Sequence, residues 1–395
     1  MRMEYDIVIV GAGPAGSLTG KYAAESGASV LMIEKRQEIG SPVRCGEGIA
    51  RYWIEDVGIP LDKKWIAYEV EGAKIVSPNG TAFHIDERHA GEEVGTVIER
   101  DLFDKALARH AAKAGAEIML KSSVVGLLKD DGKVTGVRVQ RGRKRFDVKA
   151  GAVVAADGFE SQVGRWAGIN TVLRAKDITT CFQYRMTDID PDPNYCEFIL
   201  GTDAPGGYVW VFPKAEDTAN VGLGMQLSKI KGKGEPKKYL DMFIEKDERF
   251  KGGKILDMVS GAVSISAPID QTVADGIVLV GDAARMIDPI TGGGIANACR
   301  AGKVAGEVLG KCVQEKDFSA ERLQEYEKGW RAQMEERLYR DWMAKEKLVT
   351  LSNDTFDKII GTLAEVGVDK LNVYNILKVI EQRYPELVEE FADLL

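Results

Sequence analysis

The chain has 395 residues, 45% hydrophobic and 29% charged, which is enough apolar material for a large core in two or three structural units and leaves no segment compositionally disordered. A formal net charge of −8, with no basic helix interleaved with aromatics, argues against nucleic-acid binding and restricts any contact with an anionic membrane to a local patch. No apolar run reaches the roughly 18 residues of a spanning helix, and Cys45, Cys181, Cys196, Cys299 and Cys312 contain no CxxC pair, so neither a disulfide framework nor a metal or iron-sulfur site is supported. The first ten residues read as a strand that enters a glycine loop directly, with no room for a cleaved signal peptide, so a cytoplasmic location is expected.

Residues 5–10 form an Ile/Val-rich run, followed by Gly11-Ala12-Gly13-Pro14-Ala15-Gly16 and small residues to Ser26, a strand, tight turn and helix. A second strand over 28–33 ends at Glu34 and completes a βαβ unit. Residues 36–48 turn to Gly, Pro and charge, as in a functional loop. The alternation and turn residues of 66–98 predict antiparallel hairpins, and the spacing of Leu102, Phe103, Ala106, Leu107 and His110 predicts a helix over 100–114. Strands are predicted at 117–120, 136–140 and 152–156, the last running into Asp157-Gly158. Residues 170–270 are mainly strand-like with a helix at 236–246. A buried strand at 276–280 then leads to Gly281-Asp282 and a loop at 288–294 before an alanine-rich helix at 295–311. The remainder, 318–395, reads as amphipathic helices.

The first loop carries the chemistry most plainly. Gly11 permits the turn, Gly13 lets backbone amides approach a pyrophosphate, and Gly16 lets the helix pack on the strand. The helix offers free N–H groups to phosphates, and Glu34 can accept ribose hydroxyls. NAD and FAD share the ADP half that such a unit binds. Two later strand ends, at Asp157 and Asp282, favour FAD, whose greater length needs a second anchor. Asp282 can accept from ribityl hydroxyls, and Gly292-Gly293-Gly294 opens a helix whose N–H groups can face the flavin ring.

The glycine loop with Glu34, the Glu99-Arg100-Asp101-Leu102-Phe103-Asp104 segment, Asp157-Gly158 and Gly281-Asp282 resemble the flavoprotein superfamily that includes para-hydroxybenzoate hydroxylase. Arg44-Cys45-Gly46-Glu47-Gly48, Tyr208-Val209-Trp210-Val211-Phe212-Pro213 and Gly222-Leu223-Gly224 resemble its geranylgeranyl reductase branch, nearest to the archaeal members that act on digeranylgeranyl glycerophospholipids. Halogenating relatives carry a tryptophan-rich strand motif from which this sequence departs at the first aromatic and before the proline. The resemblance implies an α/β (α+β overall) fold in three parts. A Rossmann-like FAD-binding domain is assembled from 1–65, 96–169 and 271–312, an antiparallel-sheet substrate domain from 66–95 and 170–270, and a helical region from 313–395. It implies FAD contacts at Ala15, Glu34, Arg100, Val124, Asp282, Gly294 and Ile295, to which the motif reading adds Gly11, Gly13, Gly16, Asp157 and Gly293. Cys45, Gly46 and Gly48 would lie near the flavin ring, although a lone cysteine can equally be a small hydrophobe filling a turn. Tyr208, Trp210 and Phe212 share one strand face and read either as core or as the lining of a substrate cavity.

The reaction so implied is hydrogenation of isolated double bonds in the isoprenoid chains of an archaeal ether phospholipid, with reduced FAD as hydride source and Cys45, Glu47, Tyr208 or a water as proton donor. A flavin monooxygenase on an apolar substrate is the alternative enzyme, and a flavin-containing lipid carrier without turnover is the alternative from another class. The electron donor is either a ferredoxin-type protein or NAD(P)H, since no second GxGxxG unit follows a strand. Leu371, Val373, Ile376, Leu377 and Ile380 recur at helical spacing near Lys378 and Arg383, a stripe that reads as core or as a site of transient peripheral membrane contact.

Overall fold

In the computed structural model, which describes residues 2–85, 95–368 and 373–389, Ile7 to Val10 are all buried in the main hydrophobic core, on the strand β1 (Glu4–Val10). That strand pairs in parallel with β2 (Val30–Ile33) and with the end of β11 (Lys144–Ala155). The parallel set continues to β8 (Glu117–Met119) on one side and β18 (Ile277–Leu279) on the other, where β17 (Val273–Ala274) adds an antiparallel edge. β9 (Ser123–Asp130) and β10 (Lys133–Arg141) fold back antiparallel on the first half of β11. Helices α1 (Pro14–Glu25), α3 (Arg100–Ala114) and α6 (Ile295–Glu315) pack together on this sheet, with the short α2 (Tyr52–Asp56) and α4 (Gln162–Ala167) at its margins. This part is a Rossmann-like α/β unit, with sheet ends converging where β1, β2 and β11 finish.

A second, seven-stranded sheet runs β16 (Lys254–Ser264), β12 (Ile178–Thr187), β15 (Thr218–Gln226), β14 (Tyr208–Ala215), β13 (Tyr195–Ile199), β5 (Gly72–Val76) and β6 (Ala82–Ile85). Val209 and Val211 point to the face covered by α5 (Glu235–Lys246), where Leu240 and Phe243 complete the core; Tyr208, Trp210 and Phe212 point to the other. The stretch at 66–98 is not a run of hairpins. Among the described residues only β5 and β6 form one, β5 pairs in parallel with β13, and β4 (Ile66–Glu69) joins β7 (Gly95–Ile98) and β3 (Gly48–Ala50) in a separate three-stranded sheet. Residues 86–94 of that stretch lie outside the described residues.

The long helix α7 (Ala320–Leu348) buries Leu323, Tyr326, Trp330, Met334 and Leu338 against the parallel sheet, with the Tyr326 hydroxyl donating to the Leu279 carbonyl at 2.7 Å. Beyond it, α8 (Asn353–Val366), α9 (Val373–Glu381) and α10 (Pro385–Glu389) pack on β6. Leu377 and Ile380 are buried with Phe83, Ile359 and Leu363, while Val373 and Ile376 are half-buried against the same cluster, which is the packing of a core face; Leu371 lies outside the described residues. Among the described residues no helix is long and apolar enough to cross a membrane.

Candidate functional site

A continuous cavity of about 1940 Å³ runs from the glycine loop, past the aromatic face of β14, to α8 and α9. At its first end Gly11 has φ +107°, and a Cβ there would lie 2.3 Å from the Ala156 carbonyl oxygen, so the turn admits only glycine. Gly13 lines the cavity and faces open space, leaving its backbone exposed, while Gly16 packs inside the turn against the Gly11 carbonyl. The Glu34 carboxylate accepts from Ala12 N–H at 3.1 Å and Arg36 N–H at 2.9 Å, which fixes it at the rim of the loop. Ala15, and Val124 at the start of β9, complete this part of the wall.

Arg100 starts α3 and donates from Nε to Asp104 Oδ1 at 2.7 Å. Burial works against the Arg100 charge, and the nearby Asp104 carboxylate and Cys45 sulfur outweigh it, holding the guanidinium above its ordinary range. Asp157 Oδ2 accepts from Val163 N–H at 3.0 Å, whereas Oδ1 is buried without a partner among the described residues. Asp282 faces the start of α6, where a Cβ added at Gly294 would meet its Oδ1 at 3.1 Å, a tight contact that glycine avoids. Burial pushes the carboxyls of Asp157 and Asp282 up; backbone hydrogen bonds oppose this at Asp157, and Arg100 and Arg285 oppose it at Asp282. An orphaned buried oxygen, an acceptor at Glu34 and cavity-lining backbone at Gly13, Gly294 and Ile295 are a set that fits a long, polyhydroxylated dinucleotide, while the Gly293 N–H donates to Thr291 Oγ1 at 3.2 Å.

Between the two ends lies the loop 44–48. Gly46 and Gly48 lie against the Phe212 ring, where a Cβ would come within 2.9 and 3.0 Å of Cε2, so the loop rests on the aromatic wall. Glu47 is buried with φ +75°, a conformation costing a non-glycine residue about 1 kcal/mol. Its backbone N–H donates to Cys45 Sγ at 3.2 Å. Oε1 accepts from Arg100 N–H at 2.8 Å; Oε2 accepts from Arg185 Nη2 at 2.8 Å, Asn220 Nδ2 at 2.7 Å and Lys214 Nζ at 3.1 Å. With four donors engaged, Glu47 serves as an acceptor, and its role as a proton donor finds no geometric support.

The wall itself is Tyr208, Trp210 and Phe212 with Phe198, whose ring lies 5.4 Å from Tyr208 and 5.3 Å from Phe212. Trp210 Nε1 donates to Gln183 Oε1 at 2.8 Å, and Gln183 Nε2 donates to the Cys45 carbonyl at 3.2 Å. The Tyr208 hydroxyl donates to the Thr291 carbonyl, and burial raises its pKa above the ordinary tyrosine value. Past the rings the lining becomes aliphatic, with Ile359, Leu363, Ile376 and Ile380. On the α7 side, Arg337 spans Asp288 at 3.0 Å and Asp341 at 3.6 Å and so ties that helix to the loop before α6.

Sequence reasoning missed Gln183, Arg185, Lys214, Asn220, Glu99 and the Asp288–Arg337–Asp341 group. The signal was present for Lys214 and Asn220, which are buried polar residues within otherwise apolar strands.

A family model described as FAD dependent oxidoreductase matches residues 6–207, and one described as geranylgeranyl reductase catalytic domain matches residues 177–263. The chain is similar to the digeranylgeranylglycerophospholipid reductase of Thermoplasma acidophilum, 47% identical over 393 residues and covering 99% of each chain. It is similar at 47% over 396 residues to that of Methanocella arvoryzae, covering 100% of each. Among solved structures it is similar to a geranylgeranyl bacteriochlorophyll reductase-like protein from Thermoplasma acidophilum, with a TM-score of 0.95, 46% identity and 100% of both chains covered. The flavin-dependent brominase Bmp2, at 23% identity and a TM-score of 0.73, shares the fold alone.

Proposed function

The chain belongs to the digeranylgeranylglycerophospholipid reductase family of FAD-dependent oxidoreductases, and from that we propose that it hydrogenates carbon–carbon double bonds in the geranylgeranyl chains of archaeal ether phospholipids. The observation that carries the reading is the single cavity, which joins a dinucleotide-binding loop to an aromatic and aliphatic wall long enough for an isoprenoid chain. We assign the ADP half of FAD to Gly11, Gly13, Ala15, Glu34 and Arg100, and the ribityl and ring portion to Asp282, Gly293, Gly294 and Ile295. Val124 and Asp157 border the nucleotide. When bound and reduced, FAD supplies the hydride.

The chain's own residues do the rest. Trp210, Phe212 and Phe198 hold an apolar chain and exclude water, so that an alkene meets the ring face in a fixed orientation. Because protonation of the less substituted alkene carbon builds positive charge on its tertiary neighbour, which is the carbon that takes the hydride, an acid must stand on the cavity wall. Among the proton-bearing groups that line the cavity, we assign this role to Cys45 Sγ or Tyr208 Oη, the latter anchored by the Thr291 carbonyl. A lipid embedded in a bilayer is reached by peripheral contact at the cavity rim, and electrons come from a ferredoxin-type protein or NAD(P)H.

Anaerobic incubation with dithionite and a geranylgeranylated phospholipid, followed by mass spectrometry, tests the reading. Each reduced double bond adds two hydrogen atoms. Addition of an oxygen atom in air would instead establish a monooxygenase, and an unchanged lipid would overturn both.

A further inference from the structure

Glu47 lies where the loop 44–48, the start of α3 and the seven-stranded sheet meet. Its carboxylate is held by one backbone amide, Arg100 N–H, and by side chains from three strands: Arg185 of β12, Lys214 of β14 and Asn220 of β15. Glu99 closes the group, with oxygens 3.0 Å from Lys214 Nζ and 3.2 Å from Arg185 Nη2, so two carboxylates face two cations and the buried charge balances. The hold extends to the preceding residues. Asn220 Nδ2 also donates to the Gly46 carbonyl at 3.1 Å, and Gln183 fixes the Cys45 carbonyl. The left-handed turn at Glu47 directs its own N–H onto Cys45 Sγ. The sheet that carries the aromatic wall therefore dictates where the Cys45 thiol and the Gly46 peptide stand on the cavity.

We propose that Glu47 is a positioning residue for the reduction: an ionic latch that aligns the Cys45–Gly46 segment with both ends of the cavity and exchanges no proton with the substrate. The proposal rests on the functional reading above for its effect on turnover, but not for its effect on the thiol.

Two variants test it. Glu47→Met combined with Lys214→Met removes one anion and one cation and leaves the Glu99–Arg185 pair intact, a replacement that buried ion pairs commonly tolerate. Glu47→Asp keeps the charge and shortens its reach. The FAD-loaded Met pair is expected to melt close to the parent, yet to reduce geranylgeranylated phospholipid roughly tenfold to a hundredfold more slowly at similar KM. The rate of Cys45 alkylation by iodoacetamide, taken as the difference from a Cys45→Ser background, is expected to change severalfold. Glu47→Asp is expected to behave likewise and decides the matter if the Met pair does not fold. Parental turnover and parental thiol reactivity in a folded, FAD-loaded variant would overturn the latch. A parent that leaves the lipid unreduced would overturn the functional reading instead, and the alkylation rates would still decide the latch.

Discussion

At the glycine-loop end of the cavity the wall is made of backbone amides and carboxylates set at the ends of parallel strands, whereas at the α8 and α9 end it is made of side chains alone, the rings on β14 and aliphatic residues on helices. The difference lies in what each end can lose. Backbone groups hold position only while the turn keeps its dihedral angles, so the first end should fail all at once. The second draws on many dispersed contacts and should degrade in proportion to the volume removed.

The sharpest way to break that comparison is Gly11→Val. With φ +107° and a Cβ position 2.3 Å from a backbone oxygen, the turn must move, at a cost of about 4 kcal/mol or more, and the purified variant is expected to carry no flavin by absorbance. At the other end, Trp210→Ala is expected to lower stability to chemical denaturation by about 3–5 kcal/mol while the flavin-to-protein ratio stays parental. Loss of flavin in this variant would show that the two ends are not separable. Asp282→Asn keeps the shape and removes an acceptor of cofactor hydroxyls. A fluorescence titration of the apoprotein is expected to show FAD affinity reduced about tenfold.

The pH-dependent effect concerns Asp341, whose carboxyl burial pushes up to about 6, with the Asp288 charge adding to the shift. Because the folded pKa is raised, the neutral form is favoured on folding. Its stabilisation is fully present below the unfolded value near 3.8 and is lost as pH rises through about 6. Asp341→Asn is therefore expected to match the parent's melting temperature at about pH 4 and to exceed it at about pH 8, by no more than roughly 3 kcal/mol of stability. A gap that opens toward acid would reverse the assignment.

The glycine-loop end was legible because its information is local: strand, Gly11 to Gly16, helix and Glu34 fall within one βαβ unit, and the helix at 100–114 carries its own periodicity. The far end depends on residues distant in sequence. That β5 would pair in parallel with β13, more than a hundred residues on, cannot be read from alternation, which reports a face and not a partner. The stripe Ile376, Leu377, Ile380 shows the same limit, since helical spacing reveals that a face is apolar without saying that β6 and α8 cover it. Glu47 was visible as a polar residue in a glycine loop, but its four donors come from positions 53 to 173 residues away. Without them, a proton donor and a structural acceptor look alike.

Because the cavity is continuous, a cofactor and a lipid bound as proposed would lie against each other across a shared boundary, each forming part of the surface the other sees. Their affinities are then thermodynamically linked, and the linkage is reciprocal. Whatever factor the flavin adds to lipid binding, the lipid must add to flavin retention. A flavin that leaves more slowly when lipid is supplied would measure this coupling directly, and the holoenzyme would resist cofactor loss most where its substrate is most abundant.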